Sequence, residues 1–320
     1  MKITVAGSGA FGTALSIALA QDSAVTLLGR DADAMQNVQK TRKHPQRLPG
    51  ITLPEQVTVS ADPDHLRRSD IILLCVPTQK LGGYLKAHGS LLSGKSLVAC
   101  CKGIELRSLH GTADVIANIV PDAVPAVLTG PSFAADIARG LPTALTLATG
   151  NEDDAIRLQP ALTRANLRIY RTNDVIGAQL GGALKNVVAI AAGVCIGAGL
   201  GDSARAALIT RGFAEMQKLA RCLGAQAETL MGLSGFGDLI LTCGSEQSRN
   251  FSFGQSLGRG LGFDASVTVE GAATAQAVTQ IARDHNLDLP VACAVDDLIA
   301  GRSDVQSALQ DLLSRPLREE

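Results

Sequence analysis

The chain predicts an α/β fold: a doubly wound parallel sheet of Rossmann type followed by an all-helical second domain. Three observations carry this expectation. Short apolar runs alternate with helical patterns through the first half. A glycine-rich turn stands where the first such run ends. Strand-like runs nearly vanish after about Val175.

Each apolar run has strand length and strand composition. They lie at Ile3–Ala6, Val25–Leu28, Ile71–Val76, Leu97–Cys101, Ala126–Thr129, Ala144–Ala148 and Leu167–Tyr170. Several are apolar on both faces, as a parallel sheet covered by helices requires. Strands alternating with helices make a doubly wound domain. In the second half, Gly177–Gly199 reads as a helix rich in small residues. Ala206–Leu223 is amphipathic, with Leu208, Phe213, Met216, Leu219 and Leu223 on one stripe, and stops at Gly224. Thr268–Asp284 and Cys293–Ala300 also read as helices. The expected division is a nucleotide-binding domain at 1–176 and a helical substrate domain at 177–320.

Bulk composition fits two such domains. The 320 residues are 46% hydrophobic but only 3% aromatic, so the cores must be built from Ala, Val, Ile and Leu. A net charge of −1 lacks the basic surplus of a nucleic-acid binder. Seven cysteines show no C-x-x-C pair and no zinc spacing. They read as reduced thiols of a cytoplasmic protein with no metal site. The chain enters a strand by Ile3, which leaves no room for a signal peptide. Val187–Leu200 is the most membrane-like stretch. It spans roughly 21 Å against a hydrocarbon core of ~30 Å, so a buried core helix is the expectation.

The first chemical motif is Gly7-Ser8-Gly9-Ala10-Phe11-Gly12, a G-x-G-x-x-G between a strand and a helix. Gly7 permits the tight turn, Gly9 lets a pyrophosphate approach, and Gly12 allows the helix to pack on the strand. Backbone N–H groups at the helix start then hold phosphates. This turn predicts NAD or NADP as cofactor. The end of the second strand, which should meet the adenosine ribose, reads Leu28-Gly29-Arg30-Asp31. Arg30 can pair with a 2′-phosphate, while Asp31 could accept from a 2′-hydroxyl. NADP(H) is therefore expected to bind at least as well as NAD(H). A solvated Arg–Asp pair is the alternative.

Ligands of such sheets bind outside the carboxyl ends of the strands. There the sequence places Pro77-Thr78, Lys102-Gly103 and Gly130-Pro131-Ser132, with Ser132 a candidate cap for a helix at Phe133–Arg139. Lys102 directly follows an apolar run and should face the cleft. Lys185 lies in an almost wholly apolar helix, where a lysine must snorkel, find a partner or serve chemistry. Hydride transfer from an alcohol needs a base for the hydroxyl proton, and a desolvated lysine near other cations can fill that role. Asp238, between Gly237 and Leu239, could pair with Lys185 or bind a substrate hydroxyl. Arg249, flanked by Ser248 and Asn250, could clamp a phosphate. Helix caps and turns would explain the same residues. No histidine sits in a recognisable relay.

Together these segments resemble the bacterial NAD(P)-dependent glycerol-3-phosphate dehydrogenase family over nearly the whole chain. The resemblance runs through Gly7–Ala14, Lys102–Glu105, Gly130–Ala134, Gly181–Asn186, Ala207–Gly212, Gly235–Leu239, Gln247–Asn250 and Val269–Gly271. It implies interconversion of sn-glycerol 3-phosphate and dihydroxyacetone phosphate with NAD(P)+/NAD(P)H, supplying phospholipid synthesis. It implies Lys185 as proton acceptor, with Lys102 and Asp238 beside the reacting hydroxyls. It implies Ser248, Arg249 and Asn250 on the substrate phosphate, and Gly130 and Ser132 as further substrate contacts. Phe11, Arg30, Lys102, Ala134, Arg249 and Glu270 match cofactor contacts, joined by Gly7, Gly9, Ala10 and Gly12 of the turn. Phe11 stands where the family frequently has Tyr or Trp. Arg47 stands near where it often has an aromatic before Leu-Pro, which alters the adenine-side contact or adds a cation near a 2′-phosphate. The apolar helical half also suits a homodimer. Two rivals remain: a two-domain dehydrogenase for another hydroxy substrate, and a noncatalytic NAD(P)H sensor.

Overall fold

The structure is a computed structural model that describes residues 1–313. Positions 314–320 of the expected helical domain lie outside the described residues. The strands are β1 (Ile3–Ala6), β2 (Val25–Leu28), β3 (Val57–Ser60), β4 (Ile71–Leu74), β5 (Ser96–Ala99), β6 (Val124–Thr129), β7 (Thr143–Ala148) and β8 (Leu167–Thr172). Between them lie α1 (Ala10–Leu19), α2 (Ala32–Thr41), α3 (Asp64–Arg67), α4 (Thr78–Leu92), α5 (Thr112–Ile119), α6 (Ala134–Ala138) and α7 (Glu152–Leu162). The strands form one sheet in the order β3-β2-β1-β4-β5-β6-β7-β8.

Alternation along the strands explains the two covered faces. Val5, Leu27, Leu73 and Val98 point to one side, where α1 brings Leu15 and Leu19 and α2 brings Met35 and Val38. Ala6, Leu28, Leu74 and Ala99 point to the other, against Leu81 and Leu85 of α4 and Ile116 of α5. All four residues of β1, β4 and β5 are buried, as the unbroken apolar runs require.

The sheet departs from an all-parallel arrangement at one place. β6 and β7 pair antiparallel, and β8 runs parallel to β7. A parallel crossover needs a dozen or more connecting residues, usually organised by a full helix. The β6–β7 connection holds only the short α6, which packs against α1. The chain therefore re-enters the sheet at the end it left. A strand that the sequence reading omits, β3, lies on the opposite edge. Its Val57-Thr58-Val59-Ser60 buries only alternate residues, so it lacks the continuous apolar run of its neighbours. The run at Leu97–Cys101 ends its ladder early, at Ala99.

After β8 the described chain is helical: α8 (Val175–Gly197), α9 (Gly201–Cys222), α10 (Ala227–Met231), a π-helical turn at Leu233–Gly237, α11 (Asp238–Cys243), α12 (Arg249–Gly258), α13 (Glu270–Asp284), α14 (Pro290–Ile299) and α15 (Val305–Leu313). Asp174 starts α8 by accepting from the N–H of Gly177 at 2.8 Å. α8 forms the axis of this half, with Leu184, Val187 and Ile190 buried against Met216, Leu219, Phe251 and Val278. It is long and apolar enough to cross a membrane, yet 89% of its most apolar window is buried inside the protein. Its burial makes it a core helix, as expected, although at 23 residues it is longer than the apolar stretch Val187–Leu200 on which that expectation rested. The stripe expected on α9 packs inward, and the helix closes at Leu223 before Gly224, whose φ of 87° suits glycine.

Candidate active site

The glycine turn has the geometry its motif requires. Gly9 precedes α1, which begins at Ala10 and Phe11. Gly7 has a φ of 118°, and a Cβ there would press on the carbonyl of Cys75. A Cβ on Gly12 would collide with the carbonyl oxygen of Gly7. One on Gly9 would meet nothing within 4 Å, so the turn is open on the side where a pyrophosphate would approach. A bare backbone cradle at the N-terminus of a ten-residue helix fits a dinucleotide. Ala134 opens α6 and packs on the same core as Ala10 and Phe11. Arg30 is exposed at the end of β2. The neighbouring Asp31 is engaged in capping α2, accepting from the N–H of Ala34 at 3.0 Å.

Three charged residues distant in sequence meet between the strand ends and α8. Lys102 follows β5 and extends its Nζ to 2.5 Å from Oδ2 of Asp238 and 3.0 Å from the carbonyl of Gly130. Lys185, in the middle of α8, places its Nζ 3.1 Å from Oδ1 of Asp238. Asp238 is the first residue of α11, aimed inward by the π-helical turn before it. Side-chain exposures are 8% for Lys185 and 2% for Asp238, so the pair is removed from bulk water.

This burial sets the electrostatics. It penalises the Lys185 cation and draws the amine down to about 8, with Asp238 opposing and the charge of Lys102 assisting. Burial also pushes the Asp238 carboxyl upward, but the two ammonium groups outweigh it and hold the group below its ordinary value. The result is an anchored carboxylate beside a lysine that can exchange a proton near neutral pH.

Thr242, which the sequence reading passed over, completes the cluster. Its hydroxyl accepts from Lys185 Nζ at 2.7 Å and donates to Asp238 Oδ1 at 3.2 Å. The detectable signal was spacing, since Thr242 lies four residues after Asp238 on one helix face. Asn186 is a second such residue. Its Oδ1 accepts from Asn250 Nδ2 at 2.8 Å, and the Asn250 oxygen accepts from the N–H of Gly271 at 2.9 Å. Asn250 thereby ties α8, α12 and α13 together beside Lys185.

The remaining expected site residues stand at or just before the starts of α6, α12 and α13. Ser132 does not cap α6. Phe133 holds the cap position, and the Ser132 hydroxyl instead donates to the carbonyl of Gly130 at 2.9 Å. That bond turns Ser132 toward the carbonyl that Lys102 also reaches. Ser248 caps α12, accepting from the N–H of Phe251 at 3.2 Å, and Arg249 is exposed in the first turn of that helix. Glu270 opens α13 and reaches back to the sheet half, where it accepts from the N–H of Thr78 at 3.2 Å. Burial raises the Glu270 carboxyl, against the lowering effect of Thr78 and Arg249.

Comparison with known proteins agrees with this architecture. Residues 2–155 match the NAD-dependent glycerol-3-phosphate dehydrogenase N-terminus, and residues 174–310 match the C-terminus of the same family. A glycerol-3-phosphate dehydrogenase (NAD(P)+) of Ruegeria sp. (strain TM1040) is 57% identical over 320 residues, covering 100% of both chains. One from Agrobacterium fabrum is 47% identical, covering 100% of this chain and 99% of its own. The crystal structure of glycerol-3-phosphate dehydrogenase from Coxiella burnetii superposes with a TM-score of 0.93 at 34% identity, covering 98% of this chain and 99% of that one. By sequence and by fold, the chain belongs to the NAD-dependent glycerol-3-phosphate dehydrogenase family.

Proposed function

We propose that this chain interconverts sn-glycerol 3-phosphate and dihydroxyacetone phosphate, with NAD(P)+ and NADP(H) or NAD(H) as redox partners. The observation that carries the reading is the buried carboxylate of Asp238 held between Lys102 and Lys185. Two cations around one anion leave a net positive site, which suits a phosphorylated substrate. The relatives' printed name supplies the reaction, and the cluster supplies groups able to perform it.

Bound NAD(P)+ supplies the hydride acceptor. The protein must take the hydroxyl proton of the alcohol as its carbon becomes a carbonyl. Lys185, neutral above about 8, receives that proton on Nζ. In the reducing direction the Lys185 ammonium returns it to the carbonyl oxygen. Asp238 orients Lys185 and Lys102 and stabilises their charge. Lys102, Gly130 and Ser132 hold the hydroxyl end of the substrate. Ser248, Arg249 and Asn250 hold its phosphate, with N–H groups of the first turn of α12 adding to the guanidinium. Gly7, Gly9, Ala10, Phe11 and Gly12 carry the pyrophosphate. Arg30 would meet the adenosine ribose, and Ala134, Lys102, Arg249 and Glu270 would make further cofactor contacts.

The proposed domains, 1–176 for the nucleotide and 177–320 for substrate chemistry, share the site: Lys102, Gly130 and Ser132 reach the substrate from the first, and Arg249 and Glu270 reach the cofactor from the second. The product would feed phospholipid synthesis in the cytoplasm, and a homodimer is the proposed assembly. The decisive experiment is Lys185→Ala. It removes turnover with dihydroxyacetone phosphate and leaves NADPH binding largely intact. Near-normal turnover refutes the assignment, and a preference for another keto substrate in a panel refutes the reaction.

A further inference from the structure

One buried histidine touches the glycine turn and has no part in the chemistry above. His44 is 7% exposed, and its Nε2 lies 3.0 Å from the carbonyl oxygen of Ser8. A carbonyl can only accept, so this nitrogen carries the proton and donates. Burial, reinforced by the nearby Arg47 and opposed by the Ser8 bond, holds the imidazole below its ordinary value.

The segment that carries His44 is rigidly mounted. Arg42 ends α2 with a φ of 56°, and its guanidinium donates to the carbonyl of Val57 at 2.7 Å and to that of Pro54. The N–H of Leu53 returns to the Arg42 carbonyl at 2.8 Å, and Lys43 bridges Thr52. The His44 carbonyl accepts from Arg47 and Leu48 across a tight turn through Pro45. Leu48 and Leu53 anchor this loop in the sheet core.

Ser8 is confined from a second direction. Its Oγ packs against Gly29, where an added Cβ would stand 2.7 Å away. In a planar trans peptide, C=O and N–H point in opposite directions. Fixing the Ser8 carbonyl toward His44 therefore turns the Gly9 N–H away from His44, at the start of α1. On the dinucleotide reading of the turn, that N–H is one of the donors available to the pyrophosphate.

We propose that His44 is a positioning residue for cofactor binding, which presets the Ser8–Gly9 peptide of the phosphate turn through its Nε2–H. The proposal rests on the NAD(P) reading of this turn. It predicts equal service to both cofactors, because NAD(H) and NADP(H) share the pyrophosphate. Arg30, by contrast, distinguishes between them.

The test compares His44→Gln, which keeps a donor, with His44→Phe, which keeps a ring and loses it. Fluorescence titration with NADH and with NADPH is run without substrate, beside kcat, KM and thermal melting of each full-length variant. His44→Phe is expected to weaken both cofactors by about the same factor, roughly five- to tenfold, the worth of one hydrogen bond. Its kcat at saturating cofactor stays within about twofold, as a change in positioning free energy alone requires. His44→Gln recovers most of the affinity. Wild-type affinity in His44→Phe overturns the proposal. So does equal weakening in both variants, which would show that ring packing matters and donation does not. Failure of the dehydrogenase reading is separate, because the titrations need no turnover.

Discussion

Oδ1 of Asp238 stands 3.1 Å from Nζ of Lys185, and the two side chains are almost wholly buried. The carboxylate charge is therefore required by both lysines. Asp238→Asn keeps the shape and removes the charge. Removing one partner of a buried ion pair costs about 3–5 kcal/mol, here an upper bound because Lys185 can shed its proton. Asp238 has a depressed carboxyl pKa, so its stabilisation is present above the ordinary carboxylate range and is lost as pH falls through the folded value. Denaturant titration should show a large wild-type advantage at neutral pH that closes in acid. A gap that widens in acid contradicts the assignment.

The lowered Lys185 amine gives the reaction a pH signature. Oxidation of glycerol 3-phosphate needs the neutral amine, so kcat/KM should rise with pH through about 8. Reduction of dihydroxyacetone phosphate needs the ammonium, so its profile should fall over the same range. Asp238 raises the Lys185 pKa, and Asp238→Asn should shift both limbs to lower pH. Rate profiles measured in both directions check the sign. Limbs of the same sign in both directions exclude Lys185 as the shared proton group.

The bridging hydroxyl of Thr242 should matter less than the charges, yet measurably. Thr242→Val leaves Lys185 Nζ without its 2.7 Å partner. Misorienting a general base by a fraction of an ångström should lower kcat by about 10–100-fold with little change in cofactor affinity. Thr242→Ser restores the hydroxyl and most of the rate. Steady-state kinetics of the pair separates a lost hydrogen bond from lost packing.

Much of this site is legible in the sequence because its residues violate local rules. Lys185 in an apolar helix and Lys102 after an apolar strand are placements that packing alone does not favour. Gly7 and Gly12 were legible because backbone geometry demands them. Thr242 was not, since a threonine in a helix is unremarkable until its neighbours are known. The reversal at β7 was equally hidden. Strand direction depends on how far a connection travels, and Ala144–Ala148 is an apolar run much like that of the parallel strand β1. His44 escaped because its partner is a backbone carbonyl thirty-six residues earlier, which leaves no pattern in sequence.

Arg30 should set cofactor preference. It is exposed at the end of β2, and Asp31 beside it is engaged as the α2 cap. Arg30→Ala should weaken NADPH by roughly tenfold, about 1.4 kcal/mol, and leave NADH nearly unchanged. Raising ionic strength should narrow the wild-type difference between the two cofactors, since an exposed pair is screened. Titration of both cofactors into wild type and variant checks this. Equal affinity of the variant for NADPH removes Arg30 from the site.

Gly9 and Gly12 should fail in different ways when each becomes alanine. At Gly12 the new methyl meets the carbonyl oxygen of Gly7, a backbone atom already fixed by the N–H of Gly7 bonding to Leu28. Relief requires α1 to move off β1, and overpacking of that kind costs about 1–3 kcal/mol or more. Gly12→Ala should therefore lower both the melting temperature and the cofactor affinity. At Gly9 the methyl meets no protein atom within 4 Å, so Gly9→Ala should melt like the wild type. It nevertheless occupies the space a pyrophosphate needs and should lose NADH and NADPH affinity together. Thermal melting beside titration of both variants tests the distinction. A Gly9→Ala protein that binds either cofactor normally would place the pyrophosphate elsewhere.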